Sequence, residues 1–280
     1  MKFINLKGRI GNNLFQYAVY FALKKKYKTS IFLYGWNPDF LKYFEKIGWL
    51  DSFYFRKIIH KAIKLFPNKT LTQQDFQPLQ EINALIPKNV VLDGYFQSTL
   101  FFEGYEDLVK KNIKIKKKYI TQFEERFSKL FRENKILVIN YRLGDYVNWG
   151  NNSLGGKNLV LPLNYYKNAI KKIENIDQYK VLLVTDDKKT AKEHFSFLTN
   201  IEVYSEGPIT DFQLIKNANA IIIANSTFSW WAAYLSNSAT KILAPEYFVG
   251  FKIKKDFPEG IYHNTNFEIV SFEYPENSSL

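Results

Sequence analysis

The 280-residue chain contains no cysteine and a single methionine. Without thiols, disulfide frameworks, thiolate zinc sites, iron–sulfur clusters and cysteine nucleophiles are excluded, and the composition suits a reducing compartment. Histidine is scarce: His60, His194 and His263 stand alone, each reads as a surface residue, and neither HExxH nor GxSxG occurs. Long apolar runs are missing too. The strongest, Val181–Val184 and Ala220–Ala224, fall far short of the roughly 20 residues that span a bilayer. Lys7 and Arg9 interrupt the Phe3–Leu6 run, so the N-terminus does not resemble a signal peptide. These absences lead us to expect a soluble, cytoplasmic protein.

What is present is a core-forming composition, 46% hydrophobic and 18% aromatic, enough for one large domain or two small ones. The formal charge of +12 is uneven. Residues 1–125 carry 21 Lys/Arg against 11 Asp/Glu, residues 126–280 carry 18 against 16. A basic half can attract nucleic acid, anionic lipid or phosphorylated substrates, or can simply be a solvated lysine face.

The second half alternates β-rich and helical stretches, the pattern of a parallel sheet with crossover helices. Strands are expected at Ile136–Tyr141, Lys180–Thr185, Ile201–Tyr204, Ala220–Ala224 and Lys241–Ala244, the last closed by Pro245. Helices are expected at Leu163–Ile173, Lys188–Phe195, Asp211–Asn217 and Ser229–Leu235. The first half begins with a strand at Phe3–Leu6, a Gly8/Gly11 turn, a helix from about Asn13 to Tyr27 and a strand at Ile31–Tyr34. After an irregular middle, 37–87, come a strand at Val90–Tyr95 and a helix at Thr99–Asn112. The short basic segment Lys114–Thr121 reads as the boundary between lobes at 1–120 and 121–280. The expected class is α/β, two Rossmann-like lobes facing a cleft.

Ligands of open α/β sheets bind beyond the carboxyl ends of the strands, and here those ends are polar. After the strand at 136–141, Arg142 offers a planar fork for a diphosphate, or else pairs with Asp145 to shape the loop. Thr185-Asp186-Asp187 places carboxylates where a base edge or ribose hydroxyl could donate; one of them is expected to cap the next helix, and a metal reading of the pair is weak. Asn225, Ser226 and Thr227 open into a helix, as an anion cradle or an ordinary cap with Trp230 and Trp231 in the core. In the first lobe, Gly11, Asn12, Asn13 and Gln16 follow a strand, with amides suited to sugar hydroxyls or phosphate. Asp93, Tyr95 and Gln97 follow another, mixing aromatic and amide groups that suit carbohydrate.

Together these segments resemble the bacterial alpha-1,2-fucosyltransferase family. Gly8–Tyr17 is similar to its Gly-Gly-Leu-Gly-Asn-Gln-x-Phe-Gln-Tyr opening, Gly94–Ser98 to its Gly-Tyr-Phe-Gln-Ser, and Asn140–Tyr146 to its His-x-Arg-Arg-Gly-Asp-Tyr. Thr185–Asp187 is similar to its Ser-Asp-Asp, and Asn225–Trp231 to its Asn-Ser-Thr-Phe-Ser-Trp-Trp. The resemblance implies a GT-B fold, an N-terminal acceptor lobe, a C-terminal lobe for GDP-fucose, and metal-independent, inverting transfer of fucose to a galactose 2-hydroxyl. It implies Arg142 on the pyrophosphate, stabilising the leaving GDP, Asp186 toward guanine or ribose, and Ser226 and Thr227 on phosphate; the expected catalytic residues are Arg142 and Asp145, the nearest motif carboxylate, as a base or only to orient Arg142. Donor contacts are thus expected from Gly11, Asn12, Asn13, Gln16, Asn140, Arg142, Asp186, Asn225, Ser226 and Thr227. Acceptor contacts are expected from Asp93, Tyr95 and Gln97.

Two positions depart from the family pattern. Asn140 replaces its histidine and cannot become cationic; Leu143 replaces its second arginine and removes a donor fork. A related glycosyltransferase with another nucleotide sugar therefore stays open, as does a basic nucleic-acid-binding protein. The basic half also suits peripheral contact with an anionic inner membrane carrying a lipid-linked acceptor.

Overall fold

A computed structural model describes residues 2–27, 30–35, 38–46, 51, 53–63, 69–72 and 90–274. About half of the irregular middle, 37–87, lies outside the described residues. The chain divides into two compact units, Met1–Lys118 with Pro258–Asn264, and Tyr119–Phe257 with Thr265–Leu280.

In the first unit β1 (Lys2–Leu6), α1 (Ile10–Tyr27), β2 (Ile31–Gly35), α2 (Pro38–Tyr43), α3 (Phe53–Ile63), β3 (Lys69–Thr72), β4 (Val90–Asp93) and α4 (Glu106–Asn112) follow in order. The four strands form a parallel sheet in the order β2-β1-β4-β3. Parallel strands covered on both faces need apolar residues at successive positions, and Phe3 and Ile4, like Val90, Val91 and Leu92, are all buried. The expected helix over Thr99–Asn112 is instead a 3₁₀ turn, Thr99–Phe102, then α4, broken where Gly104 takes φ +79°. The strand expected to reach Tyr95 ends at Asp93.

The second unit runs α5 (Lys117–Glu133), β5 (Lys135–Tyr141), the two-residue hairpin β6 (Gly150–Asn151) and β7 (Gly156–Lys157), α6 (Leu163–Lys171) and β8 (Tyr179–Thr185). Next come α7 (Lys188–His194), β9 (Ile201–Tyr204), α8 (Pro208–Lys216), β10 (Ala220–Ile222), α9 (Thr227–Tyr234), β11 (Lys241–Pro245) and β12 (Glu268–Val270). Its parallel sheet has the order β12-β11-β10-β5-β8-β9. α5 was not expected. Its lysine-rich start reads as a linker, yet Phe123 and Phe127 recur at helical spacing and are buried. Nor does the sheet end at β11, because β12 adds a further edge strand.

Candidate active site

Each sheet has one place where the direction of strand addition reverses. In the first, β2 lies on one side of β1 and β4 on the other; in the second, β8 and β9 lie on one side of β5 and β10 on the other. The carboxyl ends of β1 and β4, and of β5 and β10, are therefore the topological switch points, where such sheets bind ligands. The residues singled out in the sequence gather at these two places.

In the first unit the turn after β1 meets the loop after β4. Gly8 takes φ +81°, and a Cβ there would lie 2.4 Å from Asn12 Nδ2, so only glycine lets the Asn12 side chain come this close. Asn12 Oδ1 accepts from Gln97 Nε2 (2.7 Å). Lys7 Nζ lies 2.8 Å from Asp93 Oδ1 and 5.0 Å from the centre of the Tyr95 ring, while Asn5 Nδ2 donates to the same Asp93 oxygen (3.2 Å). Gly11, Asn13 and Gln16 are buried in α1. Gln16 Nε2 donates to the Gly94 carbonyl (2.8 Å), and its Oε1 accepts from the Lys7 N–H (3.2 Å) and from Asn13 Nδ2 (3.1 Å). Asn13 Nδ2 also donates to the Lys7 carbonyl (3.0 Å). These two amides thus lace the loops together from inside, while Asn12, Asp93, Tyr95 and Gln97 stay partly exposed. Phe96 adopts φ +54°, rare for a bulky residue, and is held there by burial against Phe101.

In the second unit Arg142 leaves the end of β5 between two carboxylates. Its guanidinium pairs with Asp145 through Nη2 and with Asp186 Oδ2 through Nη1 (2.8 Å). Arg142 and Asp186 are each about a quarter exposed, Asp145 nearly half. Asp186 also accepts from the Leu143 N–H (2.9 Å), so one carboxylate holds both the backbone and the side chain of this turn. Gly144 makes that possible. At φ +27°, a Cβ there would lie 2.3 Å from Asp186 Oδ2. Arg142 Nε is buried and has no hydrogen-bond partner among the described residues, and the same is true of Asn225 Oδ1. Orphaned polar atoms of this kind are few in native proteins, and two of them flank one switch point.

The neighbouring candidates are more occupied. Asn140 is buried, its Nδ2 donating to the Val184 carbonyl (3.0 Å) and its own carbonyl accepting from Tyr166 (3.2 Å). Asn225 Nδ2 donates to the Leu159 carbonyl (2.9 Å), and its carbonyl accepts from the Tyr146 hydroxyl (3.0 Å), which links the loops after β5 and β10. Ser226 Oγ accepts from the Phe228 N–H (3.3 Å) as the cap of α9; Thr227 begins that helix and is half-buried. Trp230 and Trp231 are fully buried in the core. Asp187 caps α7 through the Thr190 N–H (3.1 Å) and hydroxyl (2.7 Å), leaving Asp186 for Arg142. The Thr190 hydroxyl, and then its N–H, hold the Asp187 carboxyl below the usual range.

The Leu143 side chain is buried, so the apolar replacement sits inside the turn. His60 and His263 are exposed, but His194 is half-buried with Nδ1 2.8 Å from the Tyr141 hydroxyl. Sequence reasoning missed Lys7, Gly144 and Tyr146. Their signal was available: each stands within three residues of a strand end already singled out, or within the motif itself. Among the described residues no group of three His, Asp or Glu is placed to hold a metal ion, and no helix is long and apolar enough to cross a membrane.

Comparison with known proteins bears on the family and the fold. The sequence pattern of Glycosyl transferase family 11 matches residues 1–263. The O-antigen biosynthesis glycosyltransferase WbnK of Escherichia coli is 27% identical over 278 residues, covering 85% of this chain and 91% of that protein. An alpha-1,2-colitosyltransferase of Escherichia coli is 27% identical over 262 residues, covering 83% and 86%. Among solved structures, the fucosyltransferase NodZ from Bradyrhizobium superposes with a TM-score of 0.55 at 14% identity, covering 86% of this chain and 94% of that one. That likeness shows the GT-B fold.

Proposed function

Because the chain belongs to glycosyl transferase family 11, we propose that it transfers L-fucose from GDP-fucose to the 2-hydroxyl of a galactose-containing glycan in the synthesis of a surface polysaccharide such as O-antigen. It is an alpha-1,2-fucosyltransferase-like enzyme with the GT-B fold. The first unit is the acceptor lobe and the second the donor lobe. The observation that carries the reading is Arg142 at the β5–β10 switch point, pinned by Asp186 and Asp145 with its Nε still unpartnered.

The acceptor 2-hydroxyl oxygen attacks the fucose anomeric carbon as the bond from that carbon to the β-phosphate oxygen breaks, inverting the centre; the bonding pair leaves with GDP. Arg142 and the N-terminal end of α9, with Ser226 and Thr227, stabilise the charge gathering on the diphosphate, so the transfer needs no metal ion. Asp186 is a positioning residue for Arg142. Asp145, the more exposed carboxylate, orients the guanidinium and is the motif group available to accept the hydroxyl proton. In the first unit Asn13 and Gln16 hold the turn that carries Asn12, and Asp93, Tyr95 and Gln97 are the acceptor contacts.

Arg142→Ala tests this directly. Transfer from GDP-fucose should fall at least about 10²-fold with the fold intact by circular dichroism, the size typical of a lost oxyanion contact. Activity above about a tenth of wild type would remove Arg142 from the mechanism. A second donor is also supported. Colitose is fucose without its 3-hydroxyl, a relative is named a colitosyltransferase, and Leu143 and Asn140 depart from the fucosyltransferase motif. A donor panel separates the two. The acceptor is lipid-linked in this reading, and the basic first unit holds the enzyme on anionic lipid: α3 exposes Tyr54 and Ile58 beside Lys57 and Lys61.

A further inference from the structure

The connection from β5 to α6 spans residues 142–162, 21 residues holding only two 3₁₀ turns and a two-residue hairpin. Connections of this length in a compact unit are uncommon and usually functional. Only its first four residues serve the Arg142 turn. The remainder exposes an indole and several amides: Val147 and Trp149 are 47% and 44% exposed, and Asn148, Asn151 and Asn152 are exposed beside them. Trp230 and Trp231, by contrast, have no exposed surface. Single exposed apolar residues need no explanation, but this one sits on a built support. The Tyr146 ring lies 5.0 Å from that of Trp149 and 5.6 Å from the Arg142 guanidinium. Tyr146 is itself fixed through its hydroxyl on Asn225 and through its carbonyl, which accepts from the Leu159 N–H (2.9 Å). Further along, Leu154 is buried, and Lys252 Nζ donates to the Lys157 carbonyl (2.6 Å), tying down the hairpin.

We infer that this loop is a glycan platform carried by the second unit, on which Trp149 stacks against the apolar C–H face of an acceptor galactoside while Asn148, Asn151 and Asn152 bind its hydroxyls. A flat, polarisable ring with a negative face suits the weakly positive C–H face of a galactopyranose. Amides, which donate and accept at once, suit vicinal hydroxyls. Two rings, Trp149 and Tyr146, then connect that sugar to the Arg142 clamp. The inference rests on the proposed function.

The test compares wild type, Trp149→Phe and Trp149→Ala, with lactose and N-acetyllactosamine as probes. Galactoside binding is followed by saturation-transfer NMR with GDP present, GDP affinity by calorimetry, and transfer by steady-state kinetics. Expected are a galactoside KM raised at least about tenfold in the alanine variant, partial retention in the phenylalanine variant, and GDP affinity changed by less than about twofold. A galactoside KM within about threefold of wild type in Trp149→Ala, or a parallel loss of GDP affinity, overturns the inference. So does a wild-type enzyme that binds GDP but neither galactoside. A wild-type chain that binds no GDP overturns the proposed function instead.

Discussion

Asp186→Asn separates two roles for the carboxylate at the heart of the donor site. The asparagine oxygen can still accept from the Leu143 N–H, held at 2.9 Å in the native turn, but the group facing Arg142 Nη1 becomes an N–H₂ set against another donor. A charge-assisted hydrogen bond contributes about 1.5–3 kcal/mol. With both partners about a quarter exposed, solvent screening lowers the expected loss to about 1–2 kcal/mol. Freed from one of its two carboxylates, the guanidinium loses its fixed aim, and a misplacement of about 1 Å costs about 10²-fold in rate. Urea unfolding without nucleotide should show the stability loss; kcat/KM should show the rate loss. Asp186→Ala, which also strips the acceptor from Leu143, should be worse on both counts. A direct contact between Asp186 and the nucleotide makes a different forecast: GDP affinity falls while the stability of the free protein is unchanged. Observing that pattern would refute the positioning role.

Two further expectations concern other parts of the chain. Burial pushes the Asp211 carboxyl up to about 6, with its Oδ1 accepting from the Glu206 N–H (2.9 Å), so the folded protein keeps this proton while the unfolded chain releases it near pH 4. Stability therefore falls as pH rises from about 4 to 6, and the cost persists above, by up to about 2–3 kcal/mol. Denaturation midpoints of Asp211→Asn should gain on wild type across that window, and a pH-independent difference would contradict the assignment. On α3, the paired change Lys57→Glu and Lys61→Glu should weaken co-sedimentation with phosphatidylglycerol vesicles at low salt; wild type that never co-sediments would remove the membrane contact.

The second sheet was legible because parallel strands covered on both faces leave unbroken apolar runs. Ile136–Ile139, Val181–Val184 and Ala220–Ala224, all buried, are such runs. The polar residues at strand ends were legible for the complementary reason: few other positions tolerate them. What escaped depends on distance or on competing local signals. Lys114–Thr121 looks like a boundary, and the Phe123–Phe127 spacing is what betrays α5. Pro258–Asn264 joins the first unit through contacts such as Ser98 Oγ donating to the Gly260 carbonyl (2.7 Å), 162 positions apart, which no local pattern announces. An amide gives no sign in sequence of whether it turns inward or outward. Asn12 stays partly exposed, whereas Asn13 Nδ2 and Gln16 Nε2 turn inward onto the Lys7 and Gly94 carbonyls. Asp186 and Asp187 are likewise equivalent in sequence, and only the fold assigns one to Arg142 and the other to the α7 cap.

The central claim is that the Arg142 switch point binds a guanosine diphosphate sugar through protein groups alone. Calorimetric titration of the wild-type chain with GDP, UDP, ADP and CMP, in magnesium and again in EDTA, tests it most directly. The account predicts saturable GDP binding at least about tenfold tighter than that of the other nucleotides, and within about twofold in the two buffers. Preference for UDP, binding only in magnesium, or no nucleotide binding at all would contradict it.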